Sequence, residues 1–452
     1  MSMRDILFEY ELTPTTWAYL SALLIVGTYF KFHRFWSVRN LDLVGLIFFS
    51  PGISLVFHGL IRHSPVLVHI GYTWLFVVGA FFTVRLFLDP LMVRRPLLEP
   101  NLNASGLAFT GAALLVFLVG STIVNEQPLR LERVQMKEAA NRWQSPGSTG
   151  FYYLASFPNT WEEIEEVPDI QHPLWRYPSL GAQIATARTV GIVALLMLTL
   201  GIVAVGFRHF DNIQTGVAAA ALFLLTPYIG QFAGRIDHLA PGALLVWAVV
   251  AYRRPLIAGI LMGLAGGLIF YPLFLLPLWC SFYWRRGLLR FSYGAAGALV
   301  LLVLLAASWS SDLAAFGFQL RQMLGGTLFH QPGASGFWSG YGPDHAIHLG
   351  YRVPVLAVFM VMAGSLGLWP AQKNLGTLLS CSATLMLATQ FFHLNEGGLY
   401  MAWYLPLMVL TIFRPNLEDR VAVSAVIEGT STWPARAVLR WRKRNRKAGE
   451  PE

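Results

Sequence analysis

Charge is what this chain has least of. Of its 452 residues only 13% are Asp, Glu, Lys or Arg, where soluble domains carry about 25%. With a hydrophobic share of 55% and a mean hydropathy of +0.53, that shortage excludes an ordinary soluble domain. Cysteine is scarce too. Cys280 and Cys381 are the only two and both lie in apolar runs, so they read as buried thiols and no disulfide framework is implied. The chain has no P-loop, dinucleotide fingerprint, HExxH, GxSxG or CxxC pattern, and so no sign of nucleotide hydrolysis by itself. The opening MSMRDILFEYELTP has neither a basic n-region nor a small-residue cleavage site and is not read as a signal peptide. The net charge of +9 does not point to nucleic acid, because Arg and Lys gather in short loops and in the tail from Arg440 to Lys447. That is the distribution of a cytoplasmic membrane face, where a basic tail also meets anionic headgroups.

Long apolar runs are what the chain does have. A spanning helix needs about 20 mostly apolar residues. Such runs fall at approximately 15–31, 42–61, 66–88, 105–124, 187–206, 214–230, 238–252, 288–308, 351–369, 374–392 and 397–413. The stretch 256–284 lies between Arg253-Arg254 and Arg285-Arg286. As one helix it would be about 43 Å long against a core of about 30 Å. It would also place the two arginine pairs on opposite faces of the membrane. A hairpin turning at Tyr271-Pro272 puts both pairs on one face, and proline disfavours helix at itself and at the residue before it. The expected fold is therefore all-α: a polytopic membrane bundle of about 11–13 transmembrane segments with two long extracytoplasmic loops. The division expected is N-terminal helices over 1–104, a core over 105–413 with outer loops 125–186 and 309–350, and a basic cytoplasmic tail over 414–452. The loops Lys31 to Arg39, Val93 to Pro96, Phe207 to Asn212 and Ala371 to Asn374 then fall inside. The acidic N-terminus falls outside and the C-terminus in the cytoplasm, in the plasma (inner) membrane.

Loops as long as the outer two are usually functional. The first carries Glu126 and Glu132 close behind a span, then a run of acids from Glu162 to Asp169. A carboxylate there reads either as a general base for an acceptor hydroxyl or as part of a solvated acidic face. The loop ends with His172-Pro173, Arg176 and Tyr177-Pro178, which suit either a clamp on an anionic phosphate or an interfacial anchor. Gln231, Arg235, Asp237 and His238 form a polar mouth before the span at 238–252, and ionisable groups so near a membrane are candidates by default. Glu396 and the ladder Tyr400, Trp403 and Tyr404 are placed on the outer rim, as an aromatic belt or as a platform for a sugar. Asp344-His345-x-x-His348 matches no strong zinc spacing and reads as part of a glycine- and aromatic-rich lid. His58, His63 and His69 sit at a rim, not in facing spans, which argues against haem ligation.

Several of these features, in order, resemble the GT-C superfamily of polytopic glycosyltransferases, and most nearly its bacterial multi-spanning mannosyltransferase-like branch. The likeness covers roughly 105–413. It rests on an outer loop with an acid, the His172-Pro173-Leu174 element, Gly230-Gln231, the arginine-bounded hairpin and the Trp403 to Leu407 segment. The resemblance implies a sugar taken from a polyprenyl-phosphate donor on the extracytoplasmic face. The sugar, a hexose or pentose, would pass to a glycan, lipid or protein acceptor with inversion. The family's loop acid is an aspartate. The segment set against its acid-x-x-Val stretch carries Glu132 here, with Val134 one residue nearer than in that pattern, then Ala139 and Ala140. Before the hairpin's proline the family has a Lys or Arg and this chain has Phe270-Tyr271, so Arg176 or Arg235 would have to supply the charge. The implied assignment is Glu132 or Glu126 as catalytic acid–base group, with His172, Arg176, Tyr177, Gln231, Arg235, Asp237, His238 and Glu396 around donor and substrate. No cofactor is implied, and no pattern demands a metal, although a divalent ion is compatible. A flippase or transporter for a lipid-linked sugar predicts repeats and midplane charges that are not seen. It and a non-catalytic envelope-assembly protein are the alternatives.

Overall fold

The computed structural model describes residues 14–92, 98–124, 180–284, 286–309, scattered positions between 313 and 323, 336–341, 347–370 and 373–415. Within these the chain is helical, with no strand among the described residues. The helices are α1 (Pro14–Tyr29), α2 (Val38–Ile61), α3 (Pro65–Phe87), α4 (Ala104–Val124), α5 (Leu180–His209), α6 (Ile213–Leu225) and α7 (Pro227–Phe232). They continue with α8 (Ile236–Val250), α9 (Pro255–Leu268), α10 (Leu276–Phe282), α11 (Leu288–Trp309), α12 (Arg352–Leu368), α13 (Leu375–Phe392) and α14 (Leu405–Phe413).

Among the described residues, six stretches are long and apolar enough to cross a membrane: Val38–Ile61, Pro65–Leu91, Ala104–Ile123, Thr189–His209, Leu288–Ser308 and Leu375–Phe392. The helix starts follow local chemistry. Ser37, Asn212 and Asn374 cap α2, α6 and α13 with side-chain oxygens that accept the N–H of Asn40, Thr215 and Thr377. Pro65, Pro227 and Pro255 each open a helix where the missing N–H costs nothing.

Two of the expected continuous runs are broken. The run 214–230 divides into α6 and α7 at Thr226, whose ψ of 137° is the extended conformation proline imposes on its predecessor. The run 397–413 is helical only from Leu405, after the turn Met401–Trp403, because Glu396 (φ 52°) and Gly398 (φ 101°) are left-handed.

The arginine-bounded stretch folds back on itself. After α9 the chain turns through a 3-10 segment at Tyr271–Leu275 and returns as α10. The Tyr283 hydroxyl donates to the Tyr252 carbonyl at 2.7 Å, so the two ends of the hairpin meet and Arg253, Arg254 and Arg286 share one end of the bundle. The hairpin lies tightly on α11. A Cβ at Gly259 or Gly263 would collide with the carbonyl oxygens of Phe291 and Ala295. This is the small-residue contact that lets helices approach closely in lipid.

Residues on both sides of position 104 share one buried core. The Tyr29 hydroxyl of α1 donates to Ala218 of α6, and α13, buried along almost its whole length, packs on α3. At the arginine-rich end the buried Asp42, Arg85, Asp89 and Arg414 form a chain of ion pairs, each link 2.9 Å, which ties α2, α3 and the end of α14 together. The opposite end, where α2 passes to α3, holds the candidate site.

Candidate functional site

The site is assembled from the start of α8 and the turn between α13 and α14. Arg235 occupies the N-cap of α8 with extended backbone, and Asp237 follows in the first turn. There the helix dipole favours a carboxylate. The guanidinium grips Asp237 through Nη2 to Oδ2 at 2.9 Å and Nε to Oδ1 at 3.3 Å. Its Nη1 stands 3.7 Å from Glu396 Oε2, so one cation lies between two carboxylates brought from positions far apart in sequence. The left-handed backbone at Glu396 is uncommon for a residue with a side chain. The turn is held by Gln390, whose Oε1 accepts Gly398 N–H at 3.0 Å.

His238 is fully buried behind this triad. Its Nδ1 meets the Tyr228 hydroxyl at 2.7 Å, and its ring stacks between Phe232 and Tyr400, each with centroids 4.5 Å away. Its Nε2 has no hydrogen-bond partner and lies 3.7 Å from Asp237 Oδ2.

An aromatic wall closes one side. Tyr400 stacks on Trp403 at 4.4 Å, Trp403 on Tyr271 at 5.5 Å, and His393 touches Tyr400 and Tyr271 at 4.9 and 4.8 Å. Trp403 Nε1 also donates to the Asp237 carbonyl at 3.0 Å, which fixes the wall against the charged groups. Burial lowers the His393 imidazole to about 3, so it is neutral near pH 7. The wall corrects the sequence expectation of a rim belt: Trp403 and Tyr404 are buried, because Trp403 packs on the hairpin turn and Tyr404 faces Phe49 of α2.

Part of the second long loop reaches the same place. Gly336 (φ 78°) lies against the Glu396 backbone with no room for a Cβ, Trp338 Nε1 donates to Phe391 O at 3.1 Å, and Phe337 stacks on Phe76 at 4.4 Å. The arrangement supplies guanidinium donors for an anion and carboxylate acceptors for hydroxyl groups, while the ring faces of the wall are taken up by one another and by His238.

Of the residues singled out from sequence, Arg235, Asp237, His238 and Glu396 come together. Gln231 is half-buried on α7 and no hydrogen bond joins it to the other four. Glu126, Glu132, His172, Arg176 and Tyr177 lie outside the described residues, as do Asp344 and His345. No group of three or more His, Cys, Asp or Glu placed to hold a metal occurs among the described residues. Tyr228, Phe232, Tyr271 and His393 were not anticipated as neighbours of these charges. Their proximity to Gly230-Gln231, to the hairpin proline and to Glu396 was the available signal. Compared with protein-family models, curated proteins and solved structures, the chain matches none of them.

Proposed function

We propose that this chain is a membrane-embedded glycosyltransferase. It moves a hexose or pentose from a polyprenyl-phosphate donor to a glycan, lipid or protein acceptor on the extracytoplasmic side of the plasma (inner) membrane, with inversion. The observation that carries the reading is the Arg235–Asp237–Glu396 cluster, backed by His238 and walled by Tyr400 and Trp403. It lies at the end of an apolar helix bundle, beside a segment of the second long loop. In this reading about 11–13 segments cross the membrane, the N-terminus is outside and the C-terminus is cytoplasmic, and loops 125–186 and 309–350 are extracytoplasmic.

The reaction is a single displacement. The acceptor oxygen forms a bond to the anomeric carbon as the bond from that carbon to the phosphate oxygen breaks. The acceptor proton passes to a carboxylate, Glu132 or Glu126, and polyprenyl phosphate leaves. Arg235, with Arg176 and His172 from the first loop, stabilises the charge that grows on the leaving phosphate. In a site with little water that electrostatic work is large.

The test is transfer by purified protein in lipid, with labelled polyprenyl-phosphate sugars and a panel of acceptors, beside Glu126→Gln, Glu132→Gln and Arg235→Met. Label in an acceptor with inverted configuration, lost in one Gln variant and in Arg235→Met, is the expected result. Bound donor that is neither transferred nor hydrolysed would overturn the reading, and donor moved across the bilayer intact would replace it with a flippase.

A further inference from the structure

The bundle has a second polar recess at the opposite, arginine-rich end. A cavity of about 150 Å³ opens beside the turn between α1 and α2 and is lined on its charged side by Lys31, Arg34 and Arg39, with Glu99 facing them. His33 is the one further titratable group in the lining. The turn is fixed. The buried Asn40 side chain donates to the carbonyls of Lys31 at 2.8 Å and Arg34 at 3.0 Å, and accepts from the Lys31 N–H at 3.2 Å. Lys31 and Arg34 are thus presented by one rigid loop at the start of α2.

Three other cations of this end, Arg39, Arg85 and Arg414, are committed inside the protein. Arg85 and Arg414 hold Asp42 and Asp89, and Arg39 donates to the Arg414 carbonyl at 3.4 Å. Among the described residues, Lys31 Nζ and the Arg34 guanidinium make no ion pair or side-chain hydrogen bond. They flank a concave surface with a net positive lining, since three cations outnumber Glu99.

The same turn carries Phe32, Phe35 and Trp36, which are 72%, 53% and 80% exposed. Three consecutive-turn aromatics this exposed, at the ends of apolar helices, belong at headgroup depth. A phosphate that reaches this cavity at that depth is most readily one attached to a lipid. A zwitterionic headgroup brings its own cation towards Lys31 and Arg34, whereas an anionic one does not.

We propose that this cavity is a binding site for the phosphodiester headgroup of an anionic phospholipid, gripped by Lys31 and Arg34 and set on the opposite end of the bundle from the candidate site. The recognised chemistry is a phosphate, and free inorganic phosphate is the competing source. The site does not depend on the glycosyltransferase reading.

The experiment releases the full-length protein from nanodiscs made of equal phosphatidylglycerol and phosphatidylcholine and counts retained lipids by native mass spectrometry. Wild type is expected to retain phosphatidylglycerol in clear excess. The excess should fall about fivefold in Arg34→Gln, and roughly 30-fold in Lys31→Gln/Arg34→Gln, since each cation near a membrane surface contributes about that factor of five. Arg34 is exposed, so the single variant reports on binding even if the double variant folds poorly. A retained-lipid ratio unchanged in the single variant, or displacement of the lipid by millimolar inorganic phosphate, would overturn the proposal.

Discussion

Arg235→Met removes the cation that lies between Asp237 and Glu396 among the described residues. In the structure that guanidinium makes two hydrogen bonds to Asp237, at 2.9 and 3.3 Å, and stands 3.7 Å from Glu396. The side chains are 16%, 26% and 14% exposed, between a surface pair and a buried one. Exposed pairs contribute about 0–1 kcal/mol, and breaking a buried pair costs about 3–5 kcal/mol. Charge-assisted hydrogen bonds contribute about 1.5–3 kcal/mol. The variant should therefore lose about 2 kcal/mol of stability, because the two charge-assisted hydrogen bonds to Asp237 and the attraction to Glu396 are removed together. Asp237→Asn/Arg235→Met should lose less than the sum of the single changes, with a coupling of about 1–2 kcal/mol. Stability is read from reversible unfolding in mixed micelles. Binding separates structure from function: if Arg235 clamps a donor phosphate, the folded variant should bind a polyprenyl phosphate roughly 10- to 150-fold more weakly. Arg235→Lys keeps the charge but not the two-pronged geometry, and should fall between wild type and Met. A folded Arg235→Met protein that binds polyprenyl phosphate as tightly as wild type would refute the assignment and leave the cluster as a structural brace.

Two further outcomes are expected. Asp89 accepts from both Arg85 and Arg414 with no exposed surface, so Asp89→Leu should cost about 3–5 kcal/mol, and Arg414→Leu added to it should cost little more; a loss below about 1 kcal/mol in the same micellar unfolding assay would contradict the buried network. The His393 imidazole is held neutral in the fold, at about 3 against an ordinary value of 6.5. Its contribution is complete above about pH 6.5 and is lost as pH falls from there towards 3, because the unfolded chain binds the proton and the folded chain does not. Wild type should lose up to about 1.4 kcal/mol per pH unit in that window relative to His393→Gln, and parallel stability–pH curves for the two proteins would show that His393 is not buried as described.

The membrane class and the hairpin turn were legible in the sequence because both signals are local. Apolar runs near 20 residues state their own length, and Pro272 falls midway along a run too long for one span. The hairpin followed from two local facts, the excess length of 256–284 and the arginines at its ends. The break at Thr226 used the same signal in Pro227 and was overlooked, because the run on either side is apolar enough to read as one helix. Of the site, Arg235, Asp237 and His238 stood out because they are adjacent in sequence and interrupt apolar surroundings.

What sequence could not supply was the pairing across distance. Glu396 and Arg235 are joined only because a left-handed turn after α13 folds towards the start of α8, and that turn depends on contacts with Gly336 and with the Gln390 side chain. The aromatic residues show the same limit from the other side. Tyr400, Trp403 and Tyr404 carry an interfacial signature in composition, yet Trp403 and Tyr404 are covered by the hairpin turn and by α2. A belt and a wall have the same residue types, and only the tertiary neighbour decides between them. In a chain with so few charges, each ionisable group near the membrane needs a partner or water. The partner that Arg235 finds in Glu396 therefore indicates which two loops must close for the site to exist.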